Sequence, residues 1–436
     1  MNNHTDDKVE YRCGNAGTVP EESDSKDEEK KQKDGIDYDV EGPSTSVSGG
    51  HNEVNGFKTA EGSFVTPHSK SGHLVQRVSY EKTKEQDAEG NVDESGLASK
   101  DDIFLTAKID EFGFIHPANS LVRENRFDPK KLRNREKKWL EMLSNWSYYM
   151  TEKYEKVRER CRKGIPPSLR GRAWKNLCGA SFHMDFGVNK DVFDEVLRQP
   201  GDPRFLDEIR KDLSRQFPQH VMFSHSGPYG EGGKSDLFEL LKAYTILHPE
   251  EGYCQAQAPI AAVLLMHMPL RDAFYCFVQV CHKYLPGYFS VGLEMIQIDG
   301  EILSQILSRK SRSCYLHLRK YHVEPVLYMV EWFMCIYCRA LPWPTVLRVW
   351  DMFFCEGVKV LFKVAVVLVN HVLGSREQRK EFGDFHSIVT RLKNLPEQIT
   401  SEDLFIDKVV NLDLDEEEME KIHYRIMKTR QMRSAT

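Results

Sequence analysis

The chain has 436 residues, with 60 Lys+Arg against 66 Asp+Glu and a formal net charge of −6, which excludes a dedicated nucleic-acid binder of the strongly basic kind. The charge is uneven: residues 1–100 hold 21 acids and 12 bases, a net of −9, which leaves 45 acids and 48 bases, a net of +3, for the rest. Ten cysteines without an N-terminal apolar stretch point to reduced thiols and a cytoplasmic protein.

Residues 1–100 contain two Leu, one Ile and no Trp. Such a segment cannot bury enough apolar surface to offset its ordering entropy, so it is expected to be a disordered acidic arm. From 101 to 163 we expect a linker and flanking helices: "DPKKLRNREKKWLEMLSNWSYYM" places Leu132, Trp139, Leu140, Leu143 and Trp146 near helical spacing. "GIPPSLRGRAWKNLCGA" opens the main domain, expected over 164–374, with a Pro-rich helix start and Gly179 as a C-cap. "DPRFLDEIRKDLSRQF" is predicted to be a helix capped by Asp202, with Phe205, Leu206, Ile209, Leu213 and Phe217 on its apolar face. "SGPYGEGG" is predicted to be a loop, followed by a helix "SDLFELLKAYTIL" capped by Ser235.

The stretch "PVLYMVEWFMCIYCRALP", apolar nearly all round, is predicted to be one central buried helix. A helical extension over 375–425 and a short tail at 426–436 complete an all-α chain. Neither "APIAAVLLMHMP" nor "VLFKVAVVLVNHVL" reaches the roughly 20 apolar residues a membrane span requires, so membrane contact is expected only through partners.

Three chemistries deserve weighing on the residues alone. "PYGEGGKS" approaches the phosphate-binding G-x-x-x-x-G-K-[ST] loop, but Pro228 stands at its first glycine and little strand precedes it. A flexible loop and a serine cap explain it better. Cys335 and Cys338 form a C-x-x-C, and Cys276, Cys281 and His282 lie near one another, but both sets sit in apolar stretches without a second zinc-type pair. They read as structural cysteines. Arg215 falls about 150° from the middle of its helix's apolar face, three residues after Asp212. By itself it would be an exposed ion pair near a helix C-terminus.

Taken together, "GIPPSLRGRAW", "IRKDLSR", "GYCQAQAP" and "VLRVWDMFF" resemble the TBC domain of GTPase-activating proteins for Rab GTPases, in order and approximate spacing. The wording is most similar to the Carabin subgroup. The resemblance implies an all-α Rab-GAP fold over roughly 125–425. The family's I-x-x-D-x-x-R corresponds to Ile209, Asp212 and Arg215, which makes Arg215 an arginine finger. Its Y-x-Q corresponds to Tyr253, Cys254 and Gln255, which makes Gln255 a glutamine finger.

Arg170 and Trp174 match the early R-x-x-x-W, and Trp350 with Asp351 the later W-D; all four are expected to be structural. Tyr253 and Gln257 are expected to fix the loop or contact the GTPase. Many members carry glycine after the finger glutamine, and here that residue is Ala256, so the loop must follow a path open to alanine. The implied substrate is a GTP-bound Rab, with a Ras-type GTPase as a further candidate. The protein would need no cofactor of its own, because GTP and Mg²⁺ travel with the partner. The competing expectation is a helical scaffold that binds small GTPases or adaptors without accelerating hydrolysis.

Overall fold

The computed structural model describes residues 108–120, 128–186, 191–225, 227–290, 292–396 and 402–434. The expected acidic arm at 1–100 lies outside them. Two short strands, β1 (Lys108–Ile109) and β2 (Ile115–His116), pair antiparallel as a hairpin. Nineteen α-helices follow among the described residues. The first ten are α1 (Pro129–Ser144), α2 (Trp146–Glu152), α3 (Tyr154–Arg162), α4 (Arg170–Cys178), α5 (Ala180–Phe186), α6 (Val192–Leu197), α7 (Pro203–Leu213), α8 (Gly230–Leu247), α9 (Gln257–Leu265) and α10 (Leu270–Gln279). The others are α11 (Glu294–Lys310), α12 (Arg312–Lys320), α13 (Val326–Met334), α14 (Trp343–Glu356), α15 (Lys359–Leu373), α16 (Arg376–Glu381), α17 (Phe385–Lys393), α18 (Glu402–Asn411) and α19 (Glu416–Ser434). The last helix runs through the residues expected to form a tail from 426 onward.

Helix ends follow local chemistry where the chain supplies it. Asp128 and Asp202 accept from the amides of Lys130 and Arg204, each ahead of a proline at the first helical position. Gly179 ends α4 at φ 86°, a left-handed cap that glycine adopts without steric cost. All nine residues of α9, and nearly every residue of α15, are buried. Helices that are apolar on every side belong in the interior: α9 packs between α8 and α10, and α14 packs against α3, α4, α15 and α18.

Two expectations need correction. The predicted loop "SGPYGEGG" turns helical at Gly230, so its second half belongs to α8 and Ser235 lies inside the helix rather than capping it. A Cβ at Gly230 or Gly233 would run into the Ser224 or Met222 carbonyl, so these glycines serve close backbone packing instead of a phosphate. The expected single helix across 325–342 breaks after Met334, with Ile336 at φ 47° and Tyr337 at φ 60°. Left-handed backbone of this kind costs on the order of 1–3 kcal/mol per residue and persists only where its surroundings hold it. Here Trp350 Nε1 donates to the Ile336 carbonyl at 2.9 Å, and the Tyr337 hydroxyl donates to the Leu361 carbonyl at 2.8 Å.

Candidate functional site

Helix α7 buries Leu206, Ile209 and Asp212 against α8 and α9. A carboxylate on the buried side of an amphipathic helix needs hydrogen-bond donors. Asp212 has three from side chains. Its Oδ1 accepts from Arg215 Nη1 at 3.0 Å and from Gln255 Nε2 at 3.3 Å, and its Oδ2 accepts from the Tyr253 hydroxyl at 2.9 Å. Burial and the neighbouring Asp212 charge push the Tyr253 hydroxyl upward, so it remains a donor.

Arg215 does not lie on the helix, as its spacing suggested. Helix α7 ends at Leu213, Ser214 caps it, and Arg215 occupies the following turn with a side chain 63% exposed. Gln255 is also exposed. Phe217, assigned by periodicity to the apolar face of α7, also lies beyond the helix, at φ 38°.

The loop that carries Gln255 joins α8 to α9. Gln257 is fully buried; its Oε1 accepts from the Cys254 backbone amide at 3.0 Å while its own backbone N–H donates to the Cys254 carbonyl at 2.9 Å. This reciprocal pair pins the backbone on both sides of Gln255. Ala256 has φ −68°, so the position requires no glycine. Burial raises the Cys254 thiol, which keeps it protonated and a poor nucleophile.

A second buried cluster ties the domain start to α14. Asp351, wholly inaccessible, accepts from Trp174 Nε1 at 2.8 Å, Arg170 Nε at 3.1 Å and the Ile165 amide at 2.7 Å. Burial raises its carboxyl, and Arg170 with the hydrogen bonds opposes that rise. The Trp174 and Trp350 rings lie 5.4 Å apart. These motif residues form an interior brace and do not share the surface of Arg215 and Gln255. Cys335 and Cys338 flank the left-handed turn after α13, both buried. Lys234 of the phosphate-loop look-alike is buried on α8 with Nζ 3.6 Å from Glu231.

Sequence reasoning missed two neighbours. Gln216 donates from Nε2 to the Asp212 carbonyl at 3.0 Å and accepts from Arg339 Nη2 at 2.8 Å. Neither residue carries a local signal, because the contact spans the chain from the turn after α7 to the turn after α13.

Residues 167–373 match the family model described as the Rab-GTPase-TBC domain. TBC1 domain family member 10A of Mus musculus is 50% identical over 331 residues, covering 75% of this chain and 65% of that protein. TBC1 domain family member whacked of Drosophila melanogaster is 47% identical, covering 67% and 79% respectively. The chain belongs to the Rab-GTPase-TBC domain family. Carabin of Mus musculus is a further relative, 43% identical over 70% of this chain and 68% of its own length. The chain spans only 40% of the human TBC1 domain family member 10B. The fold of this TBC domain is shared with the Chlamydomonas flagellar RabGAP TBC domain, at a TM-score of 0.53 and 20% identity over 70% of this chain and 100% of that one. Among the described residues no helix is long and apolar enough to cross a membrane.

Proposed function

We propose that this chain is a GTPase-activating protein for Rab-family small GTPases, supplying Arg215 and Gln255 in trans. The observation that carries the reading is the single Asp212 carboxylate that receives both side chains while each remains exposed. Membership in the TBC family supports the choice of Rab as substrate class.

GTP hydrolysis needs an oriented water and positive charge on the γ-phosphoryl oxygens. A carboxamide can accept from the water and donate to a phosphate oxygen. A guanidinium adds a permanent charge and a planar set of donors. Gln255 positions the water, Arg215 stabilises the transition-state charge, and Asp212 holds both in register until the GTPase docks. Tyr253 anchors the carboxylate, and GTP and Mg²⁺ arrive with the GTP-bound Rab.

The protein would act in the cytoplasm on vesicle traffic, meeting plasma or endosomal membranes through its partners. A Ras-type GTPase is a second substrate class for the same chemistry. Single-turnover GTP hydrolysis across a panel of Rab and Ras-type GTPases tests the proposal. At least one GTPase should be accelerated by wild type and not by Arg215→Ala. Binding of the GTP-loaded form without any acceleration would instead assign a non-catalytic scaffold.

A further inference from the structure

The hairpin formed by β1 and β2 lies well before residue 167, where the family match begins, yet it docks against residues 217–221, which follow Arg215 closely in the chain. The Ile115 amide donates to the Gln219 carbonyl at 2.7 Å, and the Val221 amide donates to the Gly113 carbonyl at 3.0 Å. Phe114 forms an antiparallel bridge with His220, so the hairpin adds a short strand to residues 219–221. The His220 ring donates from Nε2 to the Phe112 carbonyl at 2.9 Å. Gly113 sits at φ +93°, and a Cβ there would strike the His220 ring, so only glycine permits this approach.

The aromatic contacts point at the same segment. The Phe114 ring lies 5.1 Å from Trp343 and 6.4 Å from Phe217, and Phe217 lies 5.5 Å from Trp343, all edge-to-face. Phe217 is the residue held at φ 38°, a conformation that a bulky side chain adopts only under constraint. Arg215 stands between the helix cap Ser214 and this constrained phenylalanine. Its side chain is mostly exposed and held by one bond to Asp212, so the direction of the guanidinium depends on the path of the backbone as well as on that carboxylate.

We propose that the hairpin Lys108–His116 is a positioning element for Arg215, with Phe114 and Trp343 clamping Phe217 so that the arginine leaves α7 along one path. The role rests on the proposed GTPase-activating reading. Without the Phe114 ring, Phe217 can relax toward negative φ and swing the preceding residues. A misplacement of about 1 Å at a reacting centre can lower a rate about 10²-fold without removing any contacting group.

The test uses the full chain, Phe114→Ala, Phe114→Tyr and Gly113→Ala. Three readouts are taken on each: single-turnover GTP hydrolysis against GTPase-activating protein concentration, amide exchange at Ile115 and Val221, and the melting temperature. Phe114→Ala and Gly113→Ala should speed exchange at both amides and lower the maximal rate about 10- to 100-fold. The half-saturating concentration and melting temperature should change little, and Phe114→Tyr should restore the rate. If Phe114→Ala unfolds the domain, Gly113→Ala carries the test, because it loosens the hairpin without deleting a ring.

Rapid exchange of both amides in the wild type would overturn the proposal. So would a wild-type maximal rate in variants whose amides have lost protection. If the wild type accelerates no GTPase, the activating reading fails and the positioning role with it. An active wild type with unaffected variants overturns the positioning role alone.

Discussion

Arg215 and Gln255 donate to the same oxygen, Oδ1 of Asp212, at 3.0 and 3.3 Å. One carboxylate thus sets the separation of two exposed side chains, one from the turn after α7 and one from the loop between α8 and α9. Asp212→Asn retains the size, and the Tyr253 hydroxyl can switch from donating to accepting. The charge that attracts both donors is lost. We expect the maximal rate of stimulated hydrolysis to fall about 10²-fold with binding of the GTP-loaded Rab retained. A wild-type rate in Asp212→Asn would make the shared oxygen incidental.

Arg215→Lys should be nearly as damaging as Arg215→Ala, with each losing about 10³-fold or more in rate. Lysine keeps the charge but not the planar fork. With its side chain 63% exposed, Arg215 contributes little to stability, so both variants should melt with the wild type. A lysine variant with most of the wild-type activity would show that charge alone suffices.

Gln255 and Gln257 should behave oppositely. Gln255→Ala should abolish stimulation and leave the melting temperature unchanged. Gln257→Ala leaves the half-buried Cys254 backbone amide without its Oε1 acceptor and opens a void at a fully buried position, a loss of about 1–3 kcal/mol in stability. Thermal unfolding and single-turnover assays on both variants separate the roles; the reverse pattern would exchange them.

Asp351→Ala should be the most destabilising of these substitutions. It removes the acceptor for Trp174, Arg170 and the Ile165 amide at a site without solvent access and leaves the Arg170 guanidinium buried beside a void. Breaking a buried pair from one side costs about 3–5 kcal/mol. Chemical denaturation would measure it, and a loss under about 1 kcal/mol would contradict the brace.

Asp299, on α11 beneath α19, supplies a pH dependence. Burial pushes its carboxyl up to about 7, while the Tyr288 hydroxyl bonded to it opposes the rise. The folded state therefore holds a proton that the unfolded state releases near pH 4. Stability from this group is full below about pH 4 and declines as pH rises toward about 7, by up to about 1.4 kcal/mol per pH unit. Asp299→Asn should flatten that decline and melt at or above the wild type at pH 8. Parallel slopes for the two proteins between pH 5 and 8 would refute the assignment.

Local chemistry was legible in the residues. Asp202–Pro203 marked a helix start, Gly179 a helix end, and the three-residue spacing of Asp212 and Arg215 an ion pair. The ordered set of short motifs identified the family before any coordinate did. Periodicity failed where a helix stopped for a tertiary reason. Phe217 and Arg215 continue the pattern of α7 but lie beyond its end, because Phe217 is captured by Phe114 and Trp343 from distant segments. The turn at Ile336 and Tyr337 was hidden in the same way, since its donor and acceptor partners, Trp350 and Leu361, come from later helices.

The sequence by itself determined the helical class, the caps at Asp202 and Gly179, the family and which two side chains to suspect, because these depend on residue type and short spacing. Only the tertiary structure decided that one buried carboxylate joins Arg215 to Gln255, that Gln257 pins the loop, and that a hairpin outside the family's matched segment braces the arginine turn. The physical reason is range. Propensity and capping act over about four residues, whereas a hydrogen bond between Gln255 and Asp212, or a ring of Phe114 on Trp343, exists only after helices with no sequence proximity have packed.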